Sequence, residues 1–272
     1  DSPILQVLPF MTIEGNSYKY TQENTLGQAD FYAVNATWSE SAATFTQQSA
    51  TLAILGGDAD VDNFVQRTLS NVQDQRAVQV AKKSKAVAHK FEETFVVGSV
   101  GADPNSFNGV KYLITNPDQV VAAGANGAAL TLAMVDDLID RVKGGKPDLL
   151  LMSKRSRRKL KGLLAASAHY VERGESSFGR QVMMYDGIPV EVSDFVPDNE
   201  VQGSSGAVCS SIYALSFGAE EALCGLQNGG IEAIDVWQLE TKDATRVRLR
   251  WYCGLALFNQ LRCAKLIGVT GS

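Results

Sequence analysis

Residues 56–98 read GGDADVDNFVQRTLSNVQDQRAVQVAKKSKAVAHKFEETFVVG, and this stretch decides how the rest of the chain is organised. Gly56-Gly57 is a break. Asp58, Asp60 and Asp62 then stand where N-cap and first-turn acids belong, because carboxylates there meet unpaired N–H groups and the positive end of the helix dipole. Apolar side chains recur at Val61, Val65, Leu69, Val72, Val80, Val87, Phe91 and Phe95, close to helical spacing, with no Gly or Pro before Gly98. The spacing predicts one helix over 59–97, roughly 55 Å long at 1.5 Å per residue. That exceeds the width of a compact domain of this size. Such a helix is a spine, not a core element.

What precedes the helix lacks the apolar surface to fold alone. Residues 1–57 carry one basic residue, Lys19, against Asp1, Glu14, Glu23, Asp30 and Glu40, and so hold −4 of the chain's net −5. Short β-like runs (Phe10–Ile13, Phe31–Trp38, Thr44–Leu55) are separated by turns at Gly15-Asn16 and Leu26-Gly27. Between Glu14 and Ala43 there is too little alternating apolar surface for a core. An extended segment of that composition needs a neighbour to lie against.

Downstream, residues 98–128 are glycine-rich and loop-like, broken by a short strand expected at Val110–Ile114. An α/β alternation follows. It runs through helix Leu130–Val142, strand Asp148–Met152, a helix from Ser153, and strands at Ile188–Val192, Val208–Phe217, Ile231–Leu239 and Thr245–Leu257. In the last, Arg246, Arg248 and Arg250 alternate with Val247, Leu249 and Trp251, giving one polar and one apolar face.

Several functions are argued against. The 272 residues contain no apolar run near the roughly 20 that a membrane-spanning helix needs. Net charge −5 speaks against general coating of nucleic acid. Cys209, Cys224, Cys253 and Cys263 form no C-x-x-C pair and read as buried, reduced thiols. Asp58-x-Asp60-x-Asp62 starts like a calcium loop but fails at Asn63 and Leu69, where Gly and Glu are required. His89 and His169 are the only bases for a hydrolytic triad, and no G-x-S-x-G elbow accompanies them. Neither metal-ligand spacing nor a phosphate loop is present, and Gly144-Gly145 reads as a helix C-cap.

One cluster stands out. Lys154, Arg155, Arg157, Arg158, Lys159 and Lys161 put six basic residues into eight positions after Ser153, a candidate N-cap. The row reads as a solvated face or one docking against an acidic neighbouring subunit, and the acidic opening section suits docking. Contact with nucleic-acid phosphate is the lesser reading, carried by Lys154, Arg158 and Lys161.

The order of these parts resembles a tailed-bacteriophage major capsid protein of the Hong Kong 97-like fold. An arm near Ile4–Ile13 precedes the extension and the spine helix. Gly98 to Asp103, continuing to Phe107-Asn108-Gly109-Val110, looks like that family's glycine-rich turn. Pro147–Ser153 with its basic helix is similar to the axial-domain strand and helix, and Phe178-Gly179 followed by Tyr185–Val190 to a recurring G-I-P-V element. The resemblance implies an α+β fold divided into an arm 1–15, an extended β-hairpin loop 16–44, a peripheral domain 45–125, an axial domain 126–235 and a peripheral return 236–272.

The resemblance also implies pentamers and hexamers closing into an icosahedral head around double-stranded DNA, in the virion, without enzymatic activity or cofactor. Implied partners are other copies of the chain, portal and scaffold proteins and a decoration protein; no membrane is involved. Lys19, Glu23, Asp30, Arg155, Arg157 and Arg158 are the expected inter-subunit contacts. An encapsulin-type nanocompartment shell is the alternative. Asp1 is expected to be a terminus left by maturation cleavage of a scaffolding segment. A covalent Lys19–Asn259 cross-link is not expected.

Overall fold

The computed structural model describes residues 2–25, 27–42, 44–69, 74–166, 172–175, 181–204 and 206–271. From the N-terminus come helix α1 (Pro3–Val7), strand β1 (Phe10–Thr12), the hairpin strands β2 (Ser17–Thr25) and β3 (Thr44–Thr51), and strand β4 (Ala53–Asp62). Helices α2 (Asn63–Leu69), α3 (Gln75–Val97) and the four-residue α4 (Val110–Leu113) follow, then β5 (Val120–Ala122), β6 (Ala128–Ala129) and α5 (Leu132–Asp140). Next are β7 (Leu149–Met152), α6 (Lys154–Ala166), β8 (Glu172–Glu175), β9 (Gln181–Tyr185), β10 (Ile188–Val192) and β11 (Glu200–Val201). The chain ends with β12 (Val208–Leu215), β13 (Leu223–Gln227), β14 (Glu232–Gln238), β15 (Ala244–Leu257) and β16 (Cys263–Thr270). Asp1, His169, Phe178-Gly179, Ser205 and residues 70–73 of the expected spine lie outside the described residues.

Strand β15 organises the first sheet. One edge pairs along its length with β4, and the other pairs with β14 and then β13, to which β1 adds in parallel. Val247, Leu249 and Trp251 are buried, while Arg246, Arg248 and Arg250 line the opposite face, as the alternation predicts.

The single helix over 59–97 is corrected. Residues 53–62 are strand β4, and Asp58 and Asp60 are not helix caps. They sit directly across from Arg248 and Arg246. Arg246 grips Asp60 through two bonds at 2.6 and 2.8 Å, and Arg248 grips Asp58 at 2.7 and 2.9 Å. These guanidinium contacts hold both carboxyls below the usual carboxylate range. Ala59 and Val61 are buried on the other face, a period of two that competes with the helical one. Only Asp62 caps, accepting the N–H of Phe64 at 2.8 Å as α2 begins.

The spine is therefore α3 alone, 23 residues or about 34 Å. Asp74 caps it by accepting from Arg76 and Ala77. Its C-terminus meets the glycine turn: the Gly109 N–H donates to the Gly98 carbonyl at 2.9 Å. A Cβ at Gly109 would stand 2.5 Å from the Thr94 carbonyl oxygen, so the backbone closes on the helix end only without a side chain. Val110–Leu113, expected as a strand, is the helical turn that this closure starts.

The second sheet runs β5-β16-β12-β7-β10-β9-β8, with β11 on β12 and β6 on β16. The apolar run of β7 is buried on both faces. Leu150 and Met152 join α5 and α6 through Leu138, Leu160 and Leu164. Leu149 and Leu151 face the other way, into a core shared with α3 and the first sheet. Asp186 and Gly187, both at positive φ, form the two-residue turn between β9 and β10. Helix α5 stops at Asp140 with Arg141 as its C-cap, so Gly144-Gly145 belongs to the following loop. The expected return over 236–272 is also revised: β16 leaves the first sheet and pairs with β12 in the second.

Phe91 joins the layers. It is fully buried, with ring centroids 4.7 Å from Trp251, 5.6 Å from Phe107 and 5.8 Å from Phe10. Phe91→Ala is expected to destabilise the subunit by about 3–5 kcal/mol. Denaturant unfolding of the unassembled subunit measures it, and a loss under about 1 kcal/mol contradicts a joining role.

Candidate assembly interface

The acidic extension is a two-stranded hairpin, β2 paired with β3 from Ser17↔Thr51 to Thr25↔Thr44. A lone two-stranded ribbon is marginal in water, so its anchorage decides its stability. Only the base is anchored. Tyr18 and Tyr20 pack on Phe258 at 5.9 and 4.8 Å, the Tyr20 hydroxyl donates to the Leu257 carbonyl at 3.1 Å, and Ala50 joins Cys224, Leu226 and Ala256 in a small core. Seven of the eight β3 residues, Thr44 to Ser49 and Thr51, are exposed.

The tip, residues 27–42, has no helix or strand. Tyr32 stacks on Trp38 at 4.4 Å, and the Gln28 N–H donates to Ser41 Oγ at 2.8 Å, so the loop is held by contacts within itself. Phe31, Val34 and Trp38 are nevertheless 108%, 94% and 77% exposed. The run Phe31–Trp38, expected to be strand-like, is this loop. Its exposed apolar residues have no counterpart in a reading by charge, although their presence in a polar stretch was the available signal.

Lys19 is exposed on β2, Glu23 lies on β2 opposite Phe45, and Asp30 is exposed at the tip. Asn259, the other expected non-partner, accepts the Leu261 N–H at 2.9 Å in the turn before β16.

Helix α6 starts at Ser153, whose hydroxyl oxygen accepts the Ser156 N–H at 3.2 Å. Leu160 and Leu164 bury its inner face. Its basic residues divide. Arg155 turns inward, donating to Ser210 Oγ at 2.6 Å and lying 3.4 Å from Asp198, so it ties the helix to β12 and is not free for a neighbour. Lys154 pairs with Asp194 at 2.6 Å. Arg157, Arg158 and Lys161 are exposed and make no ion pair among the described residues. Among the described residues, no ion pair joins Arg155, Arg157 or Arg158 to Asp30.

The arm is fixed to α3. Ile4 is fully buried, and Glu92, 3% exposed, accepts from the Ile4 N–H and the Ser2 hydroxyl while its Oε1 has no partner. Burial pushes the Glu92 carboxyl up and Asp194 raises it further, while the Ile4 and Ser2 donors moderate the rise. His89 from α3, Lys154 and Arg157 from α6, and Asp194 line the adjoining cavity. All four cysteines are buried free thiols, and burial pushes Cys253 and Cys263 up to about 12.

A stiff helix between two sheets, an arm, and a hairpin projecting beyond its own core define a shell-forming subunit of the Hong Kong 97-like class. The chain belongs to the SU10 major capsid protein family, whose model matches residues 34–270. It is a major capsid protein of a phage head, and hence a virion component. No curated protein matches it.

Solved structures share the fold. The holo-SrpI encapsulin complex from Synechococcus elongatus PCC 7942 aligns at a TM-score of 0.78 with 19% identity, over 99% of this chain and 88% of that one. The capsid of a native GTA particle aligns at 0.70 with 12% identity, over 99% and 90%. The chain of Mycobacterium phage Bobi aligns at 0.68 with 14% identity, over 98% and 90%. No helix among the described residues is long and apolar enough to cross a membrane.

The Glu92 anchor has a pH signature. A carboxyl whose folded pKa lies above the ordinary 4.5 binds its proton more tightly in the folded state. Its contribution is therefore complete at low pH and is lost as pH rises through the folded value. Thermal melts of the unassembled subunit from about pH 4 to about pH 8 should show Glu92→Gln gaining on the parent as pH rises. A variant that instead loses ground toward neutral pH contradicts this.

Proposed function

We propose that subunits associate as pentamers and hexamers, closing into an icosahedral shell around double-stranded DNA, with each β2–β3 hairpin lying on an adjacent subunit. The observation that carries the reading is the exposure of Phe31, Val34 and Trp38 on a ribbon buried only at its base. Exposed apolar clusters mark contact surfaces, and identical copies in a closed array supply the cover for one another. The arm and α3 supply stiffness. Lys19, Glu23 and Asp30 belong to the hairpin contact, and Arg157 and Arg158 to a second one through α6. Arg155 is withdrawn from the expected set because it is engaged internally. Portal, scaffold and decoration proteins would meet the finished lattice. The chain's work is mechanical, with no catalytic step or cofactor.

The likeness to the cyanobacterial encapsulin supports a second reading, a compartment shell with a protein cargo, and the family match favours the head. Removing residues 28–41 and joining the strands by a short turn should leave a folded subunit by circular dichroism and no closed shells by negative-stain microscopy. Normal shells from that deletion contradict the hairpin's role. Parent particles, prepared in parallel, carry nuclease-protected DNA on the head reading and protein cargo on the compartment reading.

Helix α6 gives a separate expectation. Arg157→Glu with Arg158→Glu should lower the shell yield at least tenfold in DNA-free assembly, counted by sedimentation. Full yield of empty shells combined with failed packaging would assign the helix to the genome instead, through phosphate contacts by Arg158 and Lys161.

A further inference from the structure

A cavity of about 560 Å³ opens where α4, β11, β12 and β16 meet, beside Val120 of β5. Its polar groups do not balance. Lys111 Nζ lies 2.6 Å from Glu200 Oε1, and the Ser211 hydroxyl donates to Oε2, so the one carboxylate here is already engaged from both sides. Lys265 Nζ donates to the Lys111 carbonyl at 2.8 Å but has no ion pair among the described residues. Tyr213, which also lines the cavity, is fully buried. A half-buried ammonium with no ion pair of its own is costly in an isolated subunit. Burial, and then the neighbouring Lys111, push the Lys265 ammonium pKa down, and Glu200 offsets only part of that. Ile114, Val120 and Ile267 supply apolar wall. The site therefore suits a carboxylate carried next to an apolar or aromatic group.

The hairpin tip has that chemistry. Asp30 and Glu40 flank Phe31, Val34 and Trp38, and residues 27–42 contain no Lys, Arg or His. Neither acid has an ion pair among the described residues, and the exposure of the aromatic side chains shows that the tip does not occupy its own subunit's cavity.

We propose that the cavity beside Tyr213 receives the tip of a second copy of the chain, a tip carboxylate meeting Lys265 while an aromatic side chain covers Ile114, Val120 and Ile267. The inference rests on the assembly reading above and adds the address at which the hairpin lands. It also explains why Lys265 has no ion pair in the subunit: the lattice supplies the counter-charge. Affinity here comes from apolar cover, and the charge pair selects register.

Carbodiimide treatment of native shells tests this directly, because it joins carboxylates to amines already in contact. Peptide mass spectrometry should find Asp30 or Glu40 joined to Lys265 or Lys111, in a dimer band absent from unassembled subunits. In parallel, Lys265→Glu and the charge-neutral Lys265→Met, each confirmed folded by its melting curve, should lower shell yield at least tenfold and about threefold respectively. Asp30→Lys with Glu40→Lys should rescue Lys265→Glu. Tip peptides joined instead to Lys159 or Lys161 of α6 or to Lys82 or Lys85 of α3, or full shell yield from a folded Lys265 variant, overturn the inference and leave hairpin-driven assembly intact. Failure of the parent chain to form shells at all removes the assembly reading itself.

Discussion

Everything in this subunit is referred to the two faces of β15. Its apolar side chains, Val247, Leu249, Trp251, Cys253, Leu255 and Leu257, are all buried, and through Trp251 and Phe91 they seat the spine helix. Its arginines face the other way and hold Asp58, Asp60 and Glu232 on the two flanking strands. Alternation in one strand thus sets the sheet register and the position of the helix together. A slip of one residue would bury three guanidinium groups and expose the core, which is why the register is strongly specified. The end of the same strand places Phe258, on which the hairpin base rests.

That anchorage and its limits explain the behaviour proposed for the protein. The hairpin is held well enough to have a direction and too little to bury its own tip. Tyr18, Tyr20 and Ala50 fix one end, and beyond Gln22 the ribbon has no protein beneath it sufficient to cover Phe31 or Trp38. In the proposed assembly such a chain exports part of its hydrophobic core to its neighbours. Assembly then completes folding, and the shell's stability is distributed over many such contacts.

The sequence discloses much of this, unevenly. Strands Ile188–Val192 and Thr245–Leu257 are legible because their alternation and flanking turns act over a few residues. So is the basic helix after Ser153, with its cap. The inability of Glu14–Ala43 to form a core is legible from composition alone. The boundary at Asp62 is not, because Val61, Val65 and Leu69 fit a helix locally, while the arginines that make Asp58 and Asp60 strand residues lie more than 180 positions away. Strand β16 and its passage to the second sheet are not legible, because a three-residue turn capped by Asn259 redirects the chain and periodicity carries no record of that. Arg155 looks like its neighbours in sequence, and only the fold shows it turned inward onto Ser210. Lys111, Glu200, Tyr213 and Lys265 are spread over 154 residues and have no linear signature.

A near-atomic electron cryomicroscopy reconstruction of the assembled particle tests the central claim most directly. The account predicts a closed shell in which density for residues 17–51 leaves its own subunit and the side chains of Phe31 and Trp38 are covered by a neighbour. A particle in which each hairpin folds back on its own subunit, with those side chains still in solvent, would contradict it.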